Sequence, residues 1–366
     1  MSQPARLPLV DGLKAAACLL IICHHLAFYG PMSDRAYSLA PELIDWLYHY
    51  GRMAVQVFLV VGGFLAAGAL ESLDAGKLAR PDILLWRRYR RLAVPCMAAL
   101  ACAILSAMLV RPWLDHPSVP APPELTQVLA HVFLLQDLLE VEALSAGVWY
   151  VAIDFQLYAL ALGLCWLSRN HAGAARPTIL VLAFTMASLL FFNLDASWDA
   201  TSLYFFGAYG LGMLAFRASR QRTPQWAAAG LAALGGLALL LAFRERIAVA
   251  LATALLLGLA PSRGWMHRGA HVRGIAWLAR RSYSVFLIHF PICLLVNSLW
   301  AQCFPEGAWI NLAGMALALV ASVAAGALFF RLIEEHHADF TRNRYYRRLV
   351  PAGLLLCAAI SMATSQ

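Results

Sequence analysis

Long apolar runs separated by short polar segments recur along the whole chain. Most of these runs contain enough residues to cross about 30 Å of hydrocarbon as a helix. This pattern predicts an all-α polytopic membrane protein with about 10–11 transmembrane helices around a central cavity. The candidate spans are residues 9–29, 46–70, 92–110, 146–167, 178–192, 203–216, 226–243, 247–260, 275–300, 309–333 and 349–362.

We interpret residues 1–366 as a single membrane domain, with a core at 9–334 and an extra C-terminal helix at 349–362. The runs at 203–216, 247–260 and 349–362 are short for a membrane span, and the predicted number of spans depends on whether they are counted. A Pro-rich connection at 112–123 leads into residues 131–136, which are too few to cross a bilayer. We expect this segment to be interfacial or re-entrant on the outer side.

Composition agrees with this class, since 61% of the 366 residues are apolar and only 13% are charged. Soluble proteins carry about twice that charged fraction. The net charge of +8 does not indicate nucleic-acid binding, because the basic residues lie between spans rather than on a soluble domain. The eight cysteines show neither a disulfide framework nor a zinc spacing, so no metal is expected.

Lysine and arginine concentrate in alternate loops. One set of loops includes a dense segment from Lys77 to Arg91, whereas the other set holds only Arg35, Arg111, Arg244 and Arg246. Cytoplasmic loops carry the excess of basic residues in membrane proteins. The distribution predicts a cytoplasmic N-terminus, and eleven spans would then place the C-terminus outside.

The first span carries four ionisable side chains, Asp11, Lys14, His24 and His25. Such groups are costly in a bilayer and usually mark a working site. Lys14 and His25 share a helix face about 16 Å apart along the axis, and Asp11 lies near enough to pair with Lys14. His24 points away from that face. We therefore assign His25 to proton transfer, the task that imidazole performs best near neutral pH.

An arginine cluster precedes the third span and includes Arg87, Arg88 and Arg91. Topology alone explains part of it. Guanidinium groups also pair well with phosphate oxygens, so the cluster could hold a polyphosphate donor such as a coenzyme on the cytoplasmic side.

Two further spans contain buried ionisable groups. Asp154 lies about two turns into the fourth span and needs a partner there. Two interpretations stay open: a His25–Asp154 pair that would orient the imidazole, and a structural Asp–Arg contact. In the ninth span Pro291 interrupts the helical hydrogen bonding near His289, so His289 is expected chiefly to satisfy the kink, with donor-pocket lining as its second possible role.

In this order and spacing, the segments resemble the membrane acyltransferase-3 family of bacterial O-acyltransferases. The family's first helix reads Asp-Gly-Leu-Arg/Lys followed by a histidine, and His25 stands at that position. The second span departs from the family pattern, with Gly62 in place of a serine and Gln56 in place of an aspartate. The other matching positions are Asp11, Gly12, Leu13 and Lys14; Arg87, Arg88, Arg91 and Pro95; Trp149, Asp154 and Tyr158; and Ser282, Tyr283, His289 and Pro291.

The resemblance implies acyl transfer, usually acetyl, from cytoplasmic acyl-CoA to a carbohydrate hydroxyl in the bacterial inner membrane. The carbohydrate acceptor could be lipid-linked, as in polysaccharide modification. Direct base catalysis by His25 and an acyl-histidine relay both stay open. The resemblance implies a catalytic set of His25, Asp154, Lys14 and Asp11, donor binding by Lys14, Arg87, Arg88, Arg91, Ser282 and Tyr283, and acceptor binding by Trp149, Tyr158 and His24.

Two other function classes are compatible with the residues alone. A transporter or flippase for a lipid-linked glycan would use buried polar groups to line a path. A haem protein would use His24 or His25 as an axial ligand.

Overall fold

A computed structural model describes residues 7–168, 176–267, 272–304, 306–335 and 344–363, which form helices and turns with no β-strand among them. In chain order the α-helices are α1 (Pro8–Phe28), α2 (Pro31–Ala36), α3 (Pro41–Tyr50), α4 (Ala54–Glu71), α5 (Ala75–Leu78), α6 (Pro81–Val110), α7 (Leu125–Val132), α8 (Val148–Ser168), α9 (Arg176–Leu190), α10 (Ser202–Ser219), α11 (Pro224–Leu241), α12 (Glu245–Leu259), α13 (Arg273–Cys303), α14 (Ala308–Phe329) and α15 (Arg344–Ala363). A π-helical turn at Phe330–Glu334 continues α14.

The prediction of an all-α fold built from membrane-spanning helices is confirmed. Every predicted span falls on helical chain, the span 46–70 on α3 and α4 together, and eight helical segments of the described chain are long and apolar enough to cross a membrane. Helices α10, α12 and α15 are not among those eight, and they correspond to the three short runs. The eight segments are Pro8–Phe28, Pro41–Glu71, Pro81–Val110, Val148–Ser168, Pro177–Leu194, Pro224–Leu241, Arg273–Cys303 and Ala308–Glu334.

The largest boundary difference is at α6, which begins at Pro81 rather than at the start of the apolar run at Leu92. Proline is favoured in the first helical turn, and arginine has a high helix propensity, so the helix extends through the arginine cluster. Pro95 lies inside the same helix. The arginines are therefore side chains of a helix that continues into the apolar run.

The described chain divides into two compact units. The first contains the residues up to Ala17, Met53–Arg88 and Ile153–Ala279. In it α10 packs against α4, α9 and α12. A Cβ on Gly63 would overlap the carbonyl oxygen of Tyr209, and one on Gly212 would overlap that of Val60. Glycine at these two positions therefore lets α4 and α10 approach with backbones in contact.

The second unit contains Cys18–Arg52, Tyr89–Ala152 and the chain from Arg280 onward. In its Pro-rich segment the Arg111 guanidinium donates to the carbonyls of Pro120 and Ala121 and to Ser361 Oγ in α15. The short helix α7 follows that segment and is succeeded by turns from residue 133 onward, and the interfacial or re-entrant placement of residues 131–136 stays a prediction. Arg111 thus connects the end of α6 to the end of the C-terminal helix.

Candidate active site

The centre of the candidate site is a pair of buried histidines in the second unit. His25 from α1 and His289 from α13 meet with 2.6 Å between His25 Nδ1 and His289 Nε2. The rings are nearly parallel, at 8°. On its other side, His289 Nδ1 lies 2.5 Å from the Phe286 carbonyl oxygen, one turn earlier in α13. Carbonyl, His289 and His25 therefore form one linear chain of hydrogen bonds.

This chain determines which ring nitrogens carry protons. A carbonyl oxygen only accepts, so His289 Nδ1 holds a hydrogen and donates it. In the neutral imidazole the Nε2 atom of His289 is then an acceptor, which makes His25 Nδ1 the donor. Neutral His25 is left with a lone pair on Nε2. That atom is the one able to take a proton from another molecule.

The surroundings of His25 are aromatic and tightly packed. The Tyr29 ring centroid lies 5.4 Å from that of His25. Gly147, just before α8, has a φ of +76°, and a Cβ there would lie 2.9 Å from the Phe286 ring and 3.7 Å from His25 Cε1. A side chain at position 147 would therefore overlap the Phe286 ring and touch His25, and the left-handed backbone also favours glycine.

His24 has a different environment from its neighbour. Its Nδ1 lies 2.9 Å from the Leu47 carbonyl oxygen in α3. A Cβ on Gly51 would come within 2.7 Å of His24 Cβ. These contacts give His24 a structural role in joining α1 to α3, and its assignment to acceptor binding stays a prediction.

Asp154 and Arg88 form an ion pair inside the first unit, 2.5 Å apart between Asp154 Oδ2 and Arg88 Nη2. The side chains are 9% and 24% exposed, respectively. The Arg88 guanidinium also lies over the Tyr158 ring, 5.1 Å from its centroid. Of the two interpretations for Asp154, the Asp–Arg contact is the one found, and the hydrogen bond of His25 goes to His289 instead.

Tyr209 of α10 is a neighbour of this ion pair that the sequence reasoning missed. It is 1% exposed, and its hydroxyl has no hydrogen-bond partner among the described residues. A Cβ on Gly62 would lie 3.4 Å from the Tyr209 ring and 3.9 Å from Asp154 Oδ1. Position 62, where the family pattern carries a serine, therefore lies in contact range of both the phenol and the carboxylate.

The basic residues assigned to donor binding differ in exposure. Arg87 and Arg91 are exposed on α6, whereas Arg88 is half-buried and engaged by Asp154. Asp11 and Lys14 are half-buried on α1, eleven or more residues before His25 on the same helix. The three arginines assigned to donor binding are therefore not equivalent.

The other predicted site residues make contacts within the second unit. The Tyr283 hydroxyl donates to the Leu92 carbonyl at 2.8 Å, and the Ser282 carbonyl accepts from the Cys18 thiol at 3.6 Å. Trp149 is half-buried and packs edge-on against Tyr150. Tyr283 and Ser282 thus join α13 to α6 and α1, and their assignment to donor binding stays untested.

The main residue whose role was underestimated is His289. The sequence indicated that it satisfies the kink near Pro291, but the carbonyl that it meets is that of Phe286, whereas the missing N–H of Pro291 frees the carbonyl of Leu287. Its second ring nitrogen, however, holds His25. The available signal was its position as a lone ionisable group in the middle of an apolar span. In the described parts of the chain, no group of three or more His, Cys, Asp or Glu side chains could hold a metal ion.

Comparison with protein families gives a match to the acyltransferase domain of the acyltransferase-3 family over residues 8–331. Comparison with curated proteins and with solved structures gave no match. The family match covers the two histidines, the ion pair and the arginine cluster.

Proposed function

Because the chain belongs to the acyltransferase-3 family, we propose that it transfers an acyl group from acyl-CoA to a carbohydrate hydroxyl, with His25 as the general base. The observation that carries the proposal is the hydrogen-bond chain from the Phe286 carbonyl through His289 to His25. It supports a base whose reactive nitrogen, Nε2, is fixed by the protein. The acyl-CoA donor and the carbohydrate acceptor come from the resemblance of the sequence motifs.

In the proposed reaction His25 Nε2 removes the proton from the acceptor hydroxyl as its oxygen attacks the thioester carbonyl carbon. The new C–O bond forms, the C–S bond breaks, and the proton passes from His25 to the departing thiolate. His289 takes the place that a carboxylate occupies in hydrolase triads, since it accepts from His25 Nδ1 and stabilises the transient imidazolium. A neutral imidazole does this without placing a permanent charge among apolar helices.

Arg87 and Arg91 are the arginines that we propose for the coenzyme phosphates, together with Lys14. Their guanidinium groups are exposed on α6, and planar guanidinium groups suit phosphate oxygens. Arg88 is assigned instead to the ion pair with Asp154, because that carboxylate already satisfies its charge. We propose that α6 begins on the cytoplasmic side of a bacterial inner membrane, as the loop charges predict.

The test is mass spectrometry of the surface polysaccharide from a deletion strain that carries wild-type protein, His25→Ala or His24→Ala. We expect the deletion to remove an acyl increment, wild type to restore it, His24→Ala to restore it in part, and His25→Ala to leave it absent. All variants are compared at matched membrane abundance. An unchanged polysaccharide in the deletion strain, or full restoration by His25→Ala, contradicts the proposal.

A further inference from the structure

A cavity of about 280 Å³ lies in the second unit, in the connection between α6 and α8. One wall comes from residues 120–127, which end in the first turn of α7, and the other comes from residues 141–143, in the turn before α8. A single water needs only about 10–15 Å³ of such space. The cavity is therefore large enough for a small organic group, and one sugar ring with its hydroxyls is of comparable size.

The groups around the cavity suit a neutral molecule with many hydroxyls. Glu124 and Glu142 bring carboxylates, and Thr126 brings a hydroxyl; all three residues are exposed. An ionised carboxylate only accepts hydrogen bonds, and a sugar hydroxyl can donate to it. Among the described residues that line the cavity none is a lysine or an arginine, so a phosphate would meet two like charges. This chemistry favours a carbohydrate over the coenzyme.

Hydrogen bonds within the protein hold the two walls in place. The side-chain amide of Gln127 donates to the Glu142 carbonyl at 2.8 Å, from one wall to the other. The buried His131 ring lies behind both walls: its Nδ1 is 2.8 Å from the Gln127 carbonyl oxygen, and its Nε2 accepts from the Leu144 amide at 3.1 Å. A site whose walls are already fixed loses less conformational entropy when a ligand binds.

The chain keeps this cavity within reach of His25. Ala143 lines the cavity and Gly147 follows four residues later, so their Cα atoms are at most about 14 Å apart. A Cβ on Gly147 would lie 3.7 Å from His25 Cε1. The Ala143 backbone is therefore at most about 20 Å from the imidazole, by the same chain geometry. A few linked sugars are long enough to cover that distance.

We infer that this cavity binds one sugar residue of the carbohydrate acceptor, separate from the residue that is acylated. The inference rests on the proposed function, because it names the place where the acceptor of that reaction is held. One acceptor chain then occupies the cavity and presents a hydroxyl of a neighbouring sugar to His25 Nε2. The cavity contributes binding and positioning, and none of its residues takes part in the proton transfer.

The first measurement is acetyl transfer by the purified full-length protein to unacylated glycan, extracted in detergent from membranes of the deletion strain. Ala143→Trp puts a large side chain on the cavity wall and should raise the KM for the glycan at least about tenfold. Glu142→Gln removes a charged acceptor of hydrogen bonds and should raise the same KM by about tenfold. Both variants should keep the wild-type KM for acetyl-CoA and the wild-type kcat at saturating glycan.

The matched controls are Leu139→Trp and Glu140→Gln. Both positions are exposed in the same segment and neither lines the cavity, so each control should keep the wild-type KM for the glycan. Amide hydrogen exchange gives a readout that does not depend on turnover. The same glycan should slow exchange in residues 120–127 and 141–143 of wild type and of both controls, but not of Ala143→Trp.

The possible results separate this inference from the proposed function. If wild type transfers acetyl but Ala143→Trp and Glu142→Gln have the KM of the controls, the cavity assignment is wrong and the proposed function stands. If wild type transfers no acetyl, the proposed function fails, and hydrogen exchange with the glycan still decides whether the cavity binds sugar. Slowed exchange with calcium chloride alone, reversed by EDTA and absent with the glycan, would make the cavity a cation site and overturn the inference.

Discussion

Substituting Arg88 or Asp154 alone should lower the free energy of unfolding by a large amount, and the effects of the two substitutions should not add in the double variant. Removing one partner of a buried pair leaves an uncompensated charge and costs about 3–5 kcal/mol. Asp154 is 9% exposed and Arg88 24% exposed. Arg88→Met leaves the deeper charge without its cation and should cost close to the upper end of that range. Asp154→Leu leaves a more accessible guanidinium that still lies over the Tyr158 ring and should cost close to the lower end.

The double variant Arg88→Met/Asp154→Leu removes both charges. Replacing a buried pair with apolar residues of similar volume is often close to neutral, so we expect the double variant to unfold within about 1–2 kcal/mol of wild type. The sum of the two single costs would be about 6–10 kcal/mol from the same range. The difference is the coupling energy, which a double-mutant cycle isolates.

The assay is reversible unfolding in mixed micelles, followed by tryptophan fluorescence. Glu71→Gln is the control, because Glu71 pairs with Arg217 in the same unit but is 37% exposed on its side chain. Exposed pairs contribute about 0–1 kcal/mol, so this variant should change little. Single-variant costs below about 1 kcal/mol, or a double variant that equals the sum, would refute the reasoning.

Three further predictions concern packing and protonation. Gly63→Ala should lower the free energy of unfolding by at least about 1–3 kcal/mol in thermal unfolding, because its Cβ would overlap the Tyr209 carbonyl oxygen. Gly163→Ala is the control: a Cβ there meets open space, so the variant should be more stable than wild type by up to about 1 kcal/mol. Tyr209→Phe should leave the unfolding free energy unchanged or raise it by up to about 1 kcal/mol, since the lost hydroxyl has no partner in the described residues; a loss above about 2 kcal/mol would contradict this. Burial lowers the pKa of His131, outside the spanning helices, and its Nε2 accepts from the Leu144 amide. Because the pKa of His131 is lower in the folded than in the unfolded protein, neutral His131 stabilises the fold at high pH, and this stabilisation is lost as pH falls. Protection of the Leu144 amide from hydrogen exchange should therefore decline below about pH 6.5. Unchanged protection down to pH 4 would contradict this prediction.

Hydropathy predicted the helices well because a bilayer leaves the backbone little choice. Each apolar run must satisfy its own hydrogen bonds, so run length alone located the helical chain at all eleven predicted spans, while the short helices α2, α5 and α7 of the described chain were not among those spans. The start of α6 was missed for a physical reason. Hydropathy measures the free energy of transfer out of water, which is unfavourable for arginine, so the apolar run ends at the arginines. Arginine nevertheless has a high helix propensity, and the helix therefore extends from Pro81 through Arg87 to Arg91.

The sequence identified the buried ionisable groups of the candidate site but not which of them contact each other. Depth in a span marked Asp154, His25 and His289 as groups that need partners. Which partner each one meets depends on the rotation and packing of helices far apart in sequence, and the sequence contains no measure of either. The pairing of His25 with His289, and of Asp154 with Arg88, therefore became visible only in the fold. Tyr209 gave no signal, since a tyrosine in an apolar run has no charge to mark it.

The central claim is that His25 Nε2, oriented by His289, removes the proton from the acceptor. The most direct measurement is the rate of acetyl transfer by purified wild type, His25→Ala and His289→Phe, with acetyl-CoA and deletion-strain membranes. General-base catalysis contributes about 10²–10⁴-fold, so His25→Ala should lose activity by that factor. His289→Phe should lose less activity than His25→Ala, because the His25 imidazole stays in place but its tautomer is no longer fixed. Wild-type rates in a folded His25→Ala variant would contradict the account.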